Sequence, residues 1–388
     1  MKLKDFATIN MGQSPKGETY NTNGNGMPFL QGRKTFGRIY PTIDTWTTNP
    51  IKTANKDEIL MSVRAPVGDM NIANQNVCIG RGLCSINANN GRNKYLYYML
   101  LNSMNDLKQK STGTVFDSIN RSDLENLEID FHSEDEQIKI ENILGSIDSK
   151  IELNNEINNN LYEFTNKLFE EKILNNQDKE HWTEYVLSDI SKMINGYSYK
   201  GNELTDKSDI GMATIKNFER TGGFKLDGFK DIIPEKVKDD HYVKPYEVLV
   251  ACTDLTQNAD IIGNAIMLLN TSDYNEIIMS MDLVKLVPIT DFINNYMLYA
   301  IVNSKDFKDF ALGYKSGTTV LHLNKNCFKE YTIKLPNEDI LKDLSKVIEV
   351  NYKKISQIIE ENKKLEQLRD TLLSKLMNGD IDLDNIEI

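Results

Sequence analysis

The residues that most often carry catalysis do not occur here in the patterns that catalysis requires. A phosphate-binding loop reads GxxxxGK[ST], whereas the glycine-rich stretch 313–319 places Lys315 before Ser316 and Gly317. The sequence has no GxGxxG after a strand, no GxSxG nucleophile elbow and no (N/D)PP(Y/F) tetrapeptide for amino methylation. Paired carboxylates such as Glu170 and Glu171 lie on a predicted helix surface, where charge mainly provides solvation. The sequence therefore predicts that this chain is not an enzyme.

The cysteines and histidines do not indicate a metal site. Cys78, Cys84, Cys252 and Cys327 show no CxxC spacing, and no histidine stands beside them in a zinc-binding pattern. We interpret them as reduced, mostly buried thiols. The N-terminal residues lack the apolar stretch of a signal peptide, and no run approaches a membrane span. These features predict a cytoplasmic protein with no metal and no membrane partner.

The net charge of −12 is unevenly distributed along the 388 residues, which are enough for two or three domains. Segment 134–178 carries eleven acidic and four basic residues, whereas residues 1–133 carry fifteen basic and twelve acidic ones. Binding to phosphate depends on Lys and Arg. The total charge therefore does not exclude a nucleic-acid partner. The acidic balance also favours an alternative, a non-catalytic protein–protein adaptor with two ligand-binding domains on a coiled-coil rod.

Two long helices are predicted at 133–175 and 337–379, and they repeat one another at an offset of 204 residues. Each has a mostly apolar seam at alternating steps of three and four, which is typical of a coiled coil. The first seam is Gln137, Ile140, Leu144, Ile147, Ile151, Asn154, Asn158, Leu161, Thr165 and Leu168. The second is Leu341, Leu344, Ile348, Asn351, Ile355, Ile358, Asn362, Leu365, Arg369 and Leu372. Ser133 with Glu136, Asn337, and Asn378 with Gly379 are the predicted caps.

The two helices are predicted to bury their seams against each other in antiparallel orientation, because the first leads into segment 179–336 and the second leads out of it. About 40 residues would make a rod of roughly 60 Å. The polar seam residues Asn154, Asn158, Asn351 and Asn362 have two open interpretations. They fix the register of the pair, or they are solvated positions on the rod.

A globular body precedes each helix, and the two bodies share a plan. Residues 3–12 resemble 187–196, and residues 110–115 resemble 315–320. Segments 57–63 and 246–251 are predicted to be equivalent strands, because both are rich in branched residues. Each body also has one helical pattern, at 94–108 and at 292–312. Between these anchors the sequences differ, which indicates two related sites that recognise different things.

The long helices carry a family resemblance. EDEQIKIENILGSIDSKIELNN (134–155) and LEQLRDTLLSKLMNGDIDL (365–383) resemble the central and distal conserved regions of specificity subunits of type I restriction-modification enzymes. SVRAPVG (62–68), CIGRGL (78–83) and ACTDLTQNA (251–259) resemble stretches of that family's target recognition domains. The resemblance covers the whole chain in order. It implies a DNA-binding protein whose two target recognition domains each bind one half of a bipartite, asymmetric sequence in double-stranded DNA.

The residue patterns predict the architecture, and the resemblance implies the identity of the domains and the partners. The expected fold is α+β, with two globular target recognition domains that have curled, mostly antiparallel sheets, separated by two long helices forming an antiparallel coiled coil. The expected boundaries are 1–133 for the first domain, 134–178 for the central helix, 179–337 for the second domain, 338–379 for the distal helix and 380–388 for the tail. Two modification (methyltransferase) subunits would dock on the helices and carry S-adenosylmethionine, and two restriction subunits with ATP and Mg could join. The chain itself would bind no cofactor.

Candidate DNA contacts are Arg, Lys, Gln, Asn and small hydroxyl residues on loops, because these side chains bind base edges and phosphates. In the first body the candidates for base contacts are Gln31, Arg33, Lys34, Arg64 and Arg81, and those for phosphate contacts are Lys110, Ser111, Thr112 and Thr114. In the second body the candidates are Thr253, Gln257, Asn258, Lys315, Ser316 and Thr318.

Structural alternatives exist for several of these residues. Each arginine could stabilise the fold instead, and Asp254 and Gln257 could satisfy their own backbone in a turn. His322 is interpreted as a packed or surface histidine rather than a contact. Tyr197 and Tyr199 could line DNA, but core packing is the favoured interpretation.

Overall fold

A computed structural model of the chain describes residues 1–110, 118–220, 222–254 and 259–383, with side chains for all of these except 105–110. The chain divides into two compact units. Unit 1 is Met1–Lys150 with Leu365–Ile388, and unit 2 is Ile151–Lys364. Within the described ranges, no helix is both long and apolar enough to cross a membrane.

The described part of unit 1 contains nine strands and the start of the first long helix. The strands are β1 (Ala7–Met11), β2 (Tyr20–Asn21), β3 (Met27–Leu30), β4 (Trp46–Thr47), β5 (Thr53–Ala54), β6 (Ile59–Ser62), β7 (Met70–Ile72), β8 (Val77–Ile79) and β9 (Leu83–Ala88) in the described part of this unit. The helices are α1 (Leu3–Phe6), α2 (Asn93–Lys110), α3 (Arg121–Glu125) and α4 (Glu134–Phe169), which continues into unit 2 and ends in a π-helical turn, Glu170–Leu174.

The strands of unit 1 form two sheets. One has the order β1-β9-β6-β7 and is antiparallel throughout, and the other has the order β2-β4-β3-β8-β5, with β3 and β8 parallel. The central strand β6 is buried on both faces: Ile59 and Met61 join the core under α2, whereas Leu60 joins a second cluster with Leu30 and Ile79. Branched and long apolar residues fit such a doubly covered strand.

Unit 2 contains the remaining elements. Its described strands are β10 (Thr183–Val186), β11 (Ser191–Asn195), β12 (Ile210–Ala213), β13 (Lys230–Asp231), β14 (Val248–Ala251), β15 (Thr253–Asp254), β16 (Ala265–Met267), β17 (Glu276–Met279), β18 (Leu283–Pro288), β19 (Lys315–Ser316), β20 (Leu321–Leu323) and β21 (Thr332–Leu335). Its helices are α5 (Leu187–Ile190), α6 (Asn295–Val302), α7 (Lys305–Leu312), α8 (Cys327–Glu330) and α9 (Glu338–Met377), which continues into unit 1.

The sheets of unit 2 repeat the plan of unit 1. The order β11-β18-β14-β16 corresponds to β1-β9-β6-β7, and the parallel pair of β12 with β17 corresponds to that of β3 with β8. The central strand β14 alternates in the same way, with Val248 and Val250 in one core cluster and Leu249 in another. The predicted equivalence of 57–63 with 246–251 is therefore confirmed. The curled form of the sheets stays a prediction.

In unit 2 the two long helices pair in antiparallel orientation. Asn154 donates a hydrogen bond to the side-chain oxygen of Asn362 at 2.7 Å, and further along Asn351 donates to Thr165 Oγ1 at 3.2 Å. Asn154 is 1% exposed. The Asn154–Asn362 pair is thus a buried contact rather than a solvated one, which supports the interpretation that polar seam residues fix the register. Tyr352, next to the predicted seam position Asn351, is also buried and packs on Tyr162 of α4.

In unit 1 the same helices share the core under α2. Ile140 and Leu144 of α4 lie in one cluster with Leu373 and Leu376 of α9. The expected seam position Leu372 is only partly buried, so the seam is shifted by one residue in this last part of α9. Lys139 donates to the backbone oxygen of Leu383 at 2.7 Å, which anchors the residues after α9.

The helix ends follow the predicted caps. Ser133 and Glu136 form a capping box, with the Ser133 N–H donating to the Glu136 carboxylate at 2.8 Å. The Asn337 side chain accepts from the Ile340 N–H at 3.1 Å, and Gly379 ends α9 with a φ of +73°. A different prediction was wrong. The pattern at 292–312 is not one helix but α6 and α7, because Ser304 caps a new helix by accepting from the Phe307 N–H at 3.2 Å.

Candidate nucleic-acid interface

The Arg81 turn, residues 80–83, connects β8 to β9 in unit 1 and presents an exposed arginine. The Leu83 N–H donates to the Gly80 oxygen at 3.0 Å and closes the turn, while the Arg81 N–H donates to Ser14 Oγ at 3.2 Å. A Cβ on Gly82 would lie 2.8 Å from the backbone oxygen of Gln31. The glycines that flank Arg81 therefore allow this turn to pack directly on residues 31–34 after β3, which we call the Gln31 loop.

The Gln31 loop carries three of the predicted contact residues. Gln31, Arg33 and Lys34 line one cavity of about 430 Å³, which also includes Tyr20 and Phe29. The Arg33 guanidinium makes an ion pair with Asp69 and remains 47% exposed. The structural alternative for Arg33 is thus supported in part, but a guanidinium has five N–H donors, and one carboxylate does not use all of them.

Arg64 lies next to the Arg81 turn. The preceding residue, Val63, donates its N–H to the Gly82 oxygen at 2.9 Å, and Arg64 itself forms a bridge with Ser118. Its side chain is exposed. The structure therefore brings Gln31, Arg33, Lys34, Arg64 and Arg81 to one surface, which we call the tip surface of unit 1. Ser111, Thr112 and Thr114, together with the side chain of Lys110, lie outside the described residues.

Unit 2 has an equivalent turn, the Met281 turn, residues 280–283, between β17 and β18. The Leu283 N–H donates to the Ser280 oxygen at 3.0 Å, the same closure as in the Arg81 turn. The close packing of a glycine against the turn is also repeated. A Cβ on Gly196, just after β11, would lie 2.0 Å from the Ser280 oxygen, and one on Gly12, just after β1, would lie 2.2 Å from the Gly80 oxygen. Arg81 and Met281 therefore occupy equivalent positions.

Equivalent backbone hydrogen bonds place Thr253 of unit 2 at the position that Arg64 occupies in unit 1. The Cys252 N–H donates to the Asp282 oxygen at 2.8 Å, as Val63 does to Gly82. Thr253 Oγ1 donates to the Asp282 carboxylate at 2.9 Å. The register of β20 places His322 opposite both Thr253 and Ser316.

The structure thus brings Thr253, Lys315 and Ser316 together in one small sheet. Thr318 lies in the turn after β19, beside Gly317 with its φ of +105°. Gln257 and Asn258 lie outside the described residues. His322 is exposed, in line with its interpretation as a surface histidine. Asp254 is buried and accepts from the Ile261 N–H at 2.8 Å, so the structural alternative holds for Asp254.

Sequence reasoning missed two residues of this surface. The Lys325 ammonium donates to the Asn195 side-chain oxygen at 2.6 Å, next to Gly196. Met281 is 51% exposed although β17 and β18 on either side of it are mostly buried. The signal for Met281 was its equivalence to Arg81, but the two turns, GRGL and SMDL, share only their final leucine. The Met281 turn with Asn195, Thr253, Lys315, Ser316 and Lys325 is the tip surface of unit 2.

The tyrosines near this surface are structural. Tyr197 is buried, and its hydroxyl donates to the Glu203 carboxylate. That bond, together with the backbone N–H groups of Glu235 and Lys200 at 2.7 and 2.6 Å, lowers the pKa of Glu203. Tyr199 is partly buried and packs with the same cluster. Core packing is therefore confirmed for both tyrosines.

The cysteine thiols are not suited to nucleophilic chemistry. All four cysteines are free and buried, and burial raises the pKa of Cys84 and of Cys252 to about 12. A thiol with so high a pKa is a poor nucleophile. In the described ranges, no group of three or more His, Cys, Asp or Glu residues could hold a metal ion.

Comparison with known proteins assigns this arrangement to one family. The family model "Type I restriction modification DNA specificity domain" matches residues 1–163 and 179–367. The type I restriction enzyme MjaIX specificity subunit of Methanocaldococcus jannaschii is 24% identical over 418 aligned residues, which cover 99% of this chain and 94% of that protein.

Two further matches differ in extent. The putative type I restriction enzyme MjaX specificity subunit of the same organism is 42% identical over 150 residues, 38% of this chain and 35% of that protein. The crystal structure of the type I restriction-modification system S subunit from M. genitalium matches with a TM-score of 0.56 and 18% identity, over 97% of this chain and 95% of that one. At this identity the structural match shows the fold alone.

Proposed function

This chain belongs to the family of type I restriction-modification DNA specificity proteins, and we propose that each of its two units reads one half of a split, asymmetric DNA sequence. The chain is a non-catalytic DNA-recognition subunit that supplies sequence specificity. The proposed reading surfaces are the tip surfaces of unit 1 and unit 2.

One observation carries this proposal: the two tip surfaces share a backbone but not their side chains. Arg64 and Arg81 in unit 1 are replaced by Thr253 and Met281 at the equivalent positions in unit 2. Sequence is read by side chains on base edges, whereas backbone and phosphate contacts fix position. A repeated scaffold with different side chains is suited to two half-sites of different sequence.

Within unit 1, Arg64 and Arg81 are suited to bidentate hydrogen bonds with guanine, and Gln31 to the same kind of contact with adenine. Arg33, which is held by Asp69, and Lys34 line the neighbouring cavity and would contact bases or adjacent phosphates. The phosphate roles proposed for Lys110, Ser111, Thr112 and Thr114 follow from residue type alone. In unit 2 the proposed contacts are Thr253, Gln257, Asn258, Lys315, Ser316 and Thr318.

We assign the separation of the half-sites to the long helices. The buried Asn154–Asn362 contact in unit 2 and the shared core under α2 in unit 1 support this assignment. Two antiparallel helices paired in this way resist sliding along each other, because a shift of the register would leave buried amide side chains without hydrogen-bond partners. Half-site spacing is set by protein geometry in multi-site DNA readers.

Proteins of this family act together with DNA and other restriction-modification subunits. The finer proposal is that two modification subunits carrying S-adenosylmethionine dock on α4 and α9, with restriction subunits using ATP and Mg where they occur. Helix α4 exposes acidic residues, among them Glu134, Asp135, Glu156 and Glu163. Such a surface repels phosphate, so it favours contact with protein over contact with DNA.

Sequencing of methylated bases in cells that express this chain with its modification partner tests the proposal. We expect one methylated motif made of two defined parts with an undefined spacer between them. A single continuous motif would contradict the proposal, because it would leave one tip surface without a half-site.

A salt series separates DNA recognition from the adaptor alternative. Binding of the purified complex to a duplex that contains the motif should weaken steeply between 50 and 200 mM salt, by about 10³-fold or more if six or more phosphates are contacted. An adaptor that binds only polypeptides would not bind the duplex, so no salt-dependent DNA binding would be measured.

A further inference from the structure

The Met281 turn presents an exposed apolar side chain beside polar residues of the described tip. Its described neighbours include Asn195, Thr253 and Lys325 of the tip surface. The adjacent Ser198 places its Oγ 3.6 Å from the Met281 sulfur. Single exposed apolar residues are common on proteins. This one differs because its position is that of Arg81, a residue of the proposed reading surface of unit 1.

The backbone holds Met281 in a fixed position. The Ser280 N–H donates to the Ala213 oxygen at 2.9 Å, and the Asp282 oxygen accepts from the Cys252 N–H at 2.8 Å. The Leu283 N–H closes the turn on the Ser280 oxygen. Hydrogen bonds to β12, to Cys252 between β14 and β15, and within the turn therefore position the Cα of Met281, while the unbranched thioether side chain can adjust to what it contacts.

The chemistry of a base pair's major-groove edge matches this surface. The groove displays polar donors and acceptors, with one apolar group, the 5-methyl of thymine. An isolated apolar side chain that is surrounded by hydrogen-bonding groups complements such an edge. A protein-binding site would instead need several apolar neighbours to bury together, whereas the described neighbours named above are polar.

We propose that Met281 is a specificity-determining residue that contacts the methyl group of a thymine in the half-site read by unit 2. The inference rests on the proposed function and adds the identity of a base that unit 2 prefers. The two tip surfaces then differ in kind, since unit 1 reads with arginines and unit 2 reads in part by apolar contact.

The test uses the complex of this chain with its modification partner and short duplexes that contain its methylated motif. Each thymine of the motif is replaced singly by deoxyuridine, which lacks only the 5-methyl group. With the unaltered complex, one position should weaken binding about fourfold, because burying one methyl group contributes about 0.8 kcal/mol.

Three variants sharpen the result. Met281→Ala should bind the thymine and deoxyuridine duplexes equally, and Met281→Leu should restore most of the difference. Ile289→Ala is the matched control, since Ile289 is 54% exposed and follows the other end of β18. It should behave like the unaltered complex.

The outcomes separate this inference from the proposed function. A continuous motif would overturn both. If the motif is split, the proposed function stands, and any one of three results would overturn the Met281 inference alone. These results are that no deoxyuridine substitution weakens binding, that Met281→Ala retains the discrimination between thymine and deoxyuridine, or that Met281→Ala loses assembly with the modification subunit instead of base preference. A half-site for unit 2 that contains no thymine on either strand would overturn it as well.

Discussion

Replacing Asp148 should destabilise unit 1 far more than replacing the neighbouring exposed Asp370. The Asp148 side chain is 8% exposed and accepts hydrogen bonds from Arg38 at 3.1 Å, Arg369 at 3.3 Å and the Tyr98 hydroxyl at 2.7 Å. Burial, followed by the Asp148 charge, raises the pKa of Tyr97 to about 12, which is consistent with a poorly solvated cluster.

The size of the effect follows from these contacts. Removing one partner of a buried ion pair costs about 3–5 kcal/mol. Arg369 keeps its contact with Asp370 at 2.7 Å, and Arg38 retains some solvent exposure, so Asp148→Asn belongs at the low end, about 3 kcal/mol. Asp370→Asn changes only an exposed carboxylate and should cost about 1 kcal/mol or less.

The two tryptophans provide the assay, because Trp46 lies in unit 1 and Trp182 in unit 2. In a Trp182→Phe background, fluorescence during urea unfolding reports unit 1, and in a Trp46→Phe background it reports unit 2. We expect Asp148→Asn to lower the urea midpoint of the Trp46 signal more than that of the Trp182 signal. If Asp148→Asn costs no more than Asp370→Asn, the interpretation of Asp148 as a buried charge centre is wrong.

Three further predictions concern the scaffold and can be checked by urea unfolding with the same fluorescence signals. Asn154→Leu or Asn362→Leu alone should each destabilise unit 2 by about 1–3 kcal/mol, because a buried amide loses its partner, while the double variant should cost less than the sum; additive costs would contradict a direct buried bond. Gly12→Ala should destabilise unit 1 by about 1–3 kcal/mol, since its Cβ would meet the Gly80 oxygen at 2.2 Å, whereas Gly17→Ala, with nothing within 4 Å, should be neutral; equal effects would refute the close approach. Glu203→Gln should reduce stability most at neutral pH. Because the pKa of the Glu203 carboxylate is lowered in the folded protein, its contribution to the free energy of unfolding is complete above the ordinary pKa of about 4.3 and is lost as the pH falls through the folded pKa. The difference in stability between Glu203→Gln and the unaltered protein should therefore shrink below about pH 4. A stability difference that grows in acid would contradict this assignment.

Much of the scaffold could be predicted because its signals are local. The capping pair of Ser133 with Glu136 and the stop at Gly379 are backbone hydrogen-bonding requirements that the adjacent residues satisfy. The seam of α4 could be read from spacing alone. The break between α6 and α7 is harder to read from spacing, because helical patterns flank the polar run 303–306 on both sides. There Ser304 caps α7 by accepting from the Phe307 N–H.

The interface was harder to predict because it depends on non-local pairing. Arg81 was found through the glycines that flank it, but its equivalent in unit 2 has no glycine on either side. The relation between Arg81 and Met281 rests on hydrogen bonds between strands that are distant in sequence. Sequence spacing alone cannot fix that register, since a one-residue change would place another side chain at the tip.

The central claim is that each unit reads its own half-site while the long helices serve assembly, and methylation sequencing with two variants tests it most directly. Arg81→Ala should leave the complex assembled and relax base preference in one half of the motif, with the other half and the spacer unchanged. Leu161→Asp, which places a charge against the helix-pairing core of unit 2, should reduce assembly and lower methylation without changing the motif. Relaxation of both halves by Arg81→Ala, or equal loss of assembly in both variants, would contradict the account.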